Sequence, residues 1–139
     1  MPLLPNNVKF RKQHTRSFKP DHVASRGTSV AFGEFGIQAL EGGEITSRQI
    51  ESARVAATRF LGRAGKMWIR VFPHTPVTAR PADTRMGKGK GNVNYWCAKV
   101  KPGTVLFEIA GISPDIAQEA LRRQAHKLPL RTRMVYRED

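Results

Sequence analysis

The chemistry of this chain is concentrated in one run, Thr84-Arg85-Met86-Gly87-Lys88-Gly89-Lys90-Gly91-Asn92. Arg85, Lys88 and Lys90 set cations among Gly87, Gly89 and Gly91. Glycine reaches backbone dihedrals closed to other residues and has no Cβ to hold a ligand away. Such a segment lays N–H groups and cations against phosphates at short range, which suits a nucleic acid better than a protein partner. It is not a nucleotide fingerprint. A P-loop needs Gly-Lys followed by Ser or Thr, whereas Lys88 and Lys90 are each followed by glycine. The pattern Gly-x-Gly-x-x-Gly, begun at Gly87, would require glycine where Asn92 stands.

No other constellation competes with this run. His14, His22, His74 and His126 are scattered, without metal-ligand spacing, so no metal site is expected. Cys97 is the only cysteine, which excludes an intramolecular disulfide and leaves a cysteine-based zinc site without partners. Acids are few and form no obvious catalytic pair, and no cofactor is implied. Lys plus Arg is 24 against 11 Asp plus Glu, a net charge of +13. A charge of that size opposes compaction until a polyanion neutralises it, and nucleic acid is the expected polyanion. No apolar run approaches the roughly 20 residues of a membrane span. No long helix carries the bulky apolar face that a membrane surface would take, so no membrane partner is expected. The N-terminus lacks the apolar stretch of a secretory signal.

The elements that must position the run are legible by pattern. The 139 residues suit one domain with a real core. Residues 6–26 are polar and basic, with Lys9, Arg11, Lys12, Arg16, Lys19 and Arg26 against one acid, Asp21. We read residues 1–27 as an extended basic arm that a partner orders; the alternative is a disordered tail. Residues 28–139 are the globular part. Residues 28–32 and 35–40 read as short strands, and Gly42-Gly43 ends that section. Residues 46–61 read as a helix: Thr46 and Gln49 form a capping box, and Ile50, Ala53, Ala57, Phe60 and Leu61 share one arc. Arg48, Arg59 and Arg63 fall on the other side. They are either a solvated face, the commoner case, or a face for a phosphate backbone, and the scarcity of acids nearby brings the two readings level.

Residues 67–72 read as a strand with Met67, Ile69 and Val71 toward the core and Trp68, Arg70 and Phe72 on the opposite face. Trp68 there either stacks on a base or seals a hydrophobic rim. Residues 73–94 read as a long loop carrying the Gly/Lys run. Residues 95–100 and 104–109 read as a hairpin closed by a type II turn at Pro102-Gly103. Ser113-Pro114-Asp115 opens a second helix with a stripe of Ile116, Ala117, Ala120, Leu121 and Ala125. Residues 131–137 form a last, basic strand containing Arg131 and Arg133. The sum is a single α+β domain, two helices packed on a mixed or antiparallel sheet. A structural RNA-binding protein, a small RNA-processing enzyme and a DNA-packaging protein all fit these features.

The pieces Lys9-Phe10-Arg11-Lys12, Phe32-Gly33-Glu34-Phe35-Gly36, Thr46-Ser47-Arg48-Gln49-Ile50-Glu51, Gly65-Lys66-Met67-Trp68-Ile69-Arg70-Val71-Phe72-Pro73, Arg85-Met86-Gly87-Lys88-Gly89-Lys90-Gly91 and Lys127-Leu128-Pro129 carry a resemblance. In order and spacing the chain resembles the bacterial-type large-subunit ribosomal protein L sixteen family nearly end to end. The early place of the Lys9 piece gives no expectation of a long presequence. The resemblance implies an α/β-hammerhead-like fold and a structural, non-enzymatic role in the large ribosomal subunit. The implied partners are large-subunit rRNA, neighbouring large-subunit proteins, and tRNA in the A and P sites; no homo-oligomer is implied. It makes Lys9, Phe10, Arg11, Lys12, Arg48 and Arg70 rRNA contacts, and Arg85, Met86, Gly87, Lys88, Gly89, Lys90 and Gly91 a tRNA-proximal loop. The charge pattern adds Arg16, Lys19, Arg59, Arg63, Arg131 and Arg133 as rRNA contacts. The implied location is the ribosome of the bacterial cytoplasm, with an organellar ribosome as the alternative.

Overall fold

Thr46 starts the first helix as its side chain dictates. Its Oγ1 accepts from the Gln49 N–H, and the Gln49 side chain accepts from the Thr46 N–H, so two orphan donors of the first turn are satisfied. The helix stops at Gly62, whose φ of 63° and ψ of −120° form a backbone conformation that glycine accepts for want of a Cβ.

A computed structural model describes residues 3–14 and 21–138; Arg16 and Lys19 of the expected arm lie outside the described residues. The elements run β1 (Phe35–Ala39), β2 (Gly43–Thr46), α1 (Ser47–Leu61), β3 (Lys66–Ile69), β4 (Thr75–Ala79), β5 (Asn92–Val100), β6 (Val105–Ala110), α2 (Pro114–Ala125) and β7 (Thr132–Tyr136). They form a four-stranded sheet ordered β3-β6-β1-β7 and a three-stranded sheet ordered β2-β5-β4. Every ladder is antiparallel. This is an α+β domain of two helices on antiparallel sheets. α1 lies against β2 and β5, α2 against β1 and β7, and the helices pack on each other. Ile37, Ile45, Ile50, Leu106, Phe107, Ile109 and Leu121 fill the core between them.

The expected strand 67–72 is shorter, β3 ending at Ile69, and four elements differ more deeply from expectation. Residues 28–32 form no strand. The segment instead lies over the outer face of the large sheet: Gly27 O accepts from the Val105 N–H, Thr28 O from Gln38 Nε2, and Val30 is buried beside Gly36. Its next two N–H groups, of Ala31 and Phe32, go to the Glu108 carboxylate at 2.6 and 2.9 Å. The last part of the expected arm is therefore pinned to the body. Second, Gly43 opens a strand, β2, rather than ending a section. Third, the expected loop at 73–94 contains β4, hidden from pattern reading by Pro76. Proline suits an edge strand, and β4 is one. The loop proper is residues 80–91.

Fourth, the expected hairpin does not pair. The turn itself is present, with Gly103 at φ 95° and the Thr104 N–H donating to Lys101 O. Its flanking strands part into different sheets, β5 between β2 and β4, β6 between β3 and β1. The chain switches because Ala39 of β1 takes the turn's hydrogen bonds: Gly103 N–H donates to Ala39 O, and Ala39 N–H donates to Thr104 O. On α2, Ile116 is exposed, while Gln124 is buried and donates to Met67 Sδ at 3.1 Å.

Gly33 explains why the outer segment can sit so close to the sheet. A Cβ there would stand 2.8 Å from the Ile109 carbonyl oxygen, a backbone atom of a core strand that cannot yield cheaply. Gly33→Ala is expected to destabilise the protein by about 1–3 kcal/mol, the usual range for overpacking. Urea denaturation checks it; an unchanged midpoint would mean that the segment lifts off at no cost.

Candidate nucleic-acid interface

The Gly/Lys run forms the end of the β4–β5 connection. Edge strand β4 and long strand β5 carry it away from the core, and residues 80–90 are exposed throughout. At its neck the chain is tight: a Cβ on Gly91 would stand 2.4 Å from Ala79 O. At its tip it is open, with nothing within 4 Å of the Cβ positions of Gly87 and Gly89. Gly87, Lys88 and Gly89 have φ of 93°, 64° and 81° in succession. Lys88 is the only described non-glycine residue with positive φ, a conformation costing an L-residue roughly 1–2 kcal/mol. Met86 beside it is 99% exposed. An apolar side chain and a cation are thus presented together on a backbone bent through the left-handed region.

The N-terminal arm meets this loop. Lys12 Nζ donates to Lys90 O at 3.2 Å, and Lys90 Nζ donates in return to Gln13 O. Gln13 and His14 line a small polar cavity with Thr75, Val77, Glu44 and Lys99 of the small sheet. Further up, Leu4, Val8 and Arg11 line a second cavity over Trp96, which is buried. The structure thus joins two groups that are far apart in sequence. Lys9, Phe10, Arg11 and Lys12 on one side and Arg85 to Gly91 on the other belong to one end of the molecule. Phe10 is 72% exposed, with Lys9 Nζ 5.5 Å from its ring centroid.

The remaining candidates lie elsewhere. Arg48 is exposed at the start of α1, and Arg63 just past its end. Arg59 lies in a groove between the ends of the two helices with Arg122, Arg123, His126 and Lys127, four residues that were not among the expected contacts. Arg123 stacks on the Phe60 ring at 4.3 Å. Among the described residues, Arg48, Arg59 and Arg63 have no ion pair, whereas Arg54 pairs with Glu51. The Arg54 hydrogen bond holds Glu51 well below the usual carboxylate range, at about 2, and hydrogen bonds from Arg122 and Arg123 hold Glu119 at about 2.

Three candidates have internal partners. Arg70 Nη1 is 2.9 Å from Glu108 Oε1, a carboxylate with no exposed surface. Arg133 Nε donates to Gln38 Oε1 at 2.9 Å, and Arg131 lies 3.6 Å from Glu41. Glu108 was open to sequence reading: an acid inside Val105-Leu106-Phe107-Glu108-Ile109 must be paired if that run is a core strand.

No described group of histidine, cysteine or acidic residues could hold a metal ion. Cys97 is buried, and its thiol is pushed up by that burial and then by Glu44, which makes it a poor nucleophile. No helix among the described residues is long and apolar enough to cross a membrane.

The family model described as "Ribosomal protein L16p/L10e" matches residues 5–135. Three relatives, each named large ribosomal subunit protein uL16, align over nearly the whole chain. That of Exiguobacterium sibiricum is 56% identical over 137 residues, 99% of this chain and 93% of the relative. That of Micrococcus luteus is 54% identical, covering 98% of this chain and 97% of the relative. That of Cutibacterium acnes is 52% identical, covering 98% and 96%. With the arm, the Gly/Lys loop and the capped first helix all inside the matched region, the chain belongs to the L16p/L10e family of ribosomal proteins.

Proposed function

We propose that this constituent of the large ribosomal subunit holds rRNA with its arm and helix-borne cations, and reaches tRNA in the A and P sites with the loop at residues 80–91. It is a structural protein and not an enzyme. The observation that carries the reading is the reciprocal Lys12–Lys90–Gln13 contact. It makes the arm and the loop one cationic end, so that rRNA gripping the arm also fixes the loop. Folded RNA is read by shape, phosphates and 2′-hydroxyls, which suits exposed Lys and Arg on extended segments. By ordering that end in advance, the protein lowers the cost of ordering the A site when tRNA arrives. It supplies no acid, base or nucleophile. The bacterial relatives support a cytoplasmic ribosome as the setting.

The test uses large subunits carrying Lys88→Ala. Lys88 points from an open tip, so the variant should enter subunits at one copy each and sediment with them, while A-site tRNA affinity drops. Undiminished tRNA affinity in fully assembled variant subunits would overturn the loop's role; failure of the unaltered chain to sediment with large subunits would overturn the whole reading.

A further inference from the structure

On the outer face of the large sheet, four side chains form a ladder. Lys66 Nζ lies 5.4 Å from the Trp68 ring centroid, Trp68 stacks with Phe32 at 6.4 Å and an interplanar angle of 23°, and the Arg70 guanidinium lies 5.0 Å from the Phe32 ring. Phe32 is 59% exposed, and Phe72 nearby in sequence is 44% exposed. Trp68 sits directly across the β3–β6 ladder from Glu108. That carboxylate is buried and accepts from the Ala31 N–H, the Phe32 N–H and Arg70.

We propose that Phe32 and Trp68, flanked by Lys66 and Arg70, form a stacking platform for an unpaired nucleotide of RNA. Covering an edge strand needs apolar area only; it does not need a cation at each end of the aromatic pair, nor a buried carboxylate whose acceptors go to the backbone of one exposed phenylalanine and the arginine over its ring. Those features fix Phe32 and Arg70 before any ligand arrives, so little ordering cost remains on binding. Aromatic faces take any base, and flanking cations take the adjacent phosphates. An apolar protein partner would instead have to strip water from Lys66 at the rim. The platform rests on the RNA-binding reading above but uses none of the loop or arm residues.

The test uses the full chain with Trp96→Phe, which leaves Trp68 as the only tryptophan. Its emission is followed while a short oligoadenylate, or an RNA duplex of equal length, is added at fixed salt. Oligoadenylate should quench Trp68 and the duplex should not. Phe32→Leu should weaken oligoadenylate binding by about tenfold, within the range for losing one stacked base, with duplex affinity unchanged. Binding of oligoadenylate without quenching, or an equal loss for both RNAs, overturns the platform and leaves the RNA-binding reading standing. No binding of either RNA overturns both. Should the Trp96→Phe chain not fold, Phe32→Leu in the unaltered chain decides by the two affinities alone.

Discussion

Replacing Glu108 with alanine is expected to destabilise the protein by about 3–5 kcal/mol, the range for removing one partner of a buried ion pair. The carboxylate has no exposed surface and three donors converge on it: Arg70 Nη1, Ala31 N–H and Phe32 N–H. Without it, the two N–H groups lose their acceptors, each worth roughly 1–3 kcal/mol if it stays buried, and Arg70 keeps a half-desolvated charge. The outer segment from Gly27 to Phe32 then loses its inner anchor. Glu108→Gln should cost less, because one carbonyl acceptor survives. Glu108→Leu combined with Arg70→Met should recover part of the loss, since removing both charges leaves none unpaired. Chemical denaturation of the three variants checks this. A loss below about 1 kcal/mol for Glu108→Ala would mean that water reaches the site and replaces the carboxylate.

The second large effect is on RNA affinity. Binding of the isolated chain to a large-subunit rRNA fragment should fall by about a thousandfold or more between about 50 and 200 mM salt, as expected when six or more cations release phosphate counterions. The exposed Lys9, Arg11, Lys12, Arg48, Arg59 and Arg63, the cations of the arm and the first helix, alone supply that number. Changing Lys9, Arg11 and Lys12 together to alanine should make the salt slope shallower by roughly 0.7–0.9 per lost contact. Filter binding at several salt concentrations measures it. A slope unchanged in the triple variant would place the arm outside the interface.

Most helix information was legible because it is local. Thr46, Gln49 and Gly62 settle α1 within a few residues of chain, and Pro114 at the first position opens α2, although the Ser113 side chain makes no cap hydrogen bond. The strands were harder, because their partners are distant. Nothing near Pro102-Gly103 reveals that Ala39 will take that turn's hydrogen bonds and send β5 and β6 into separate sheets. Residues 28–32 have strand composition, yet the Glu108 carboxylate occupies two of the N–H groups that a ladder would need. The Gly/Lys loop was visible from composition alone. Its junction with the arm was not, since Lys12 and Lys90 meet only after β4 and β5 have carried the loop to where the arm passes.

The place of β1 bears on how the chain is made. This strand lies in the middle of the large sheet, with Phe35 opposite both Ile109 of β6 and Tyr136 of β7. Both partners lie far downstream of it, β6 starting at Val105 and β7 at Thr132. The large sheet therefore cannot close until β7 has been made, and closing it means forming distant pairings, which are intrinsically slow. Until then a nascent polycation carries an apolar strand with both edges open, the kind of species prone to aggregate. Early shelter by RNA or a chaperone would therefore matter more for this chain than for one whose central strand pairs with its neighbours in sequence.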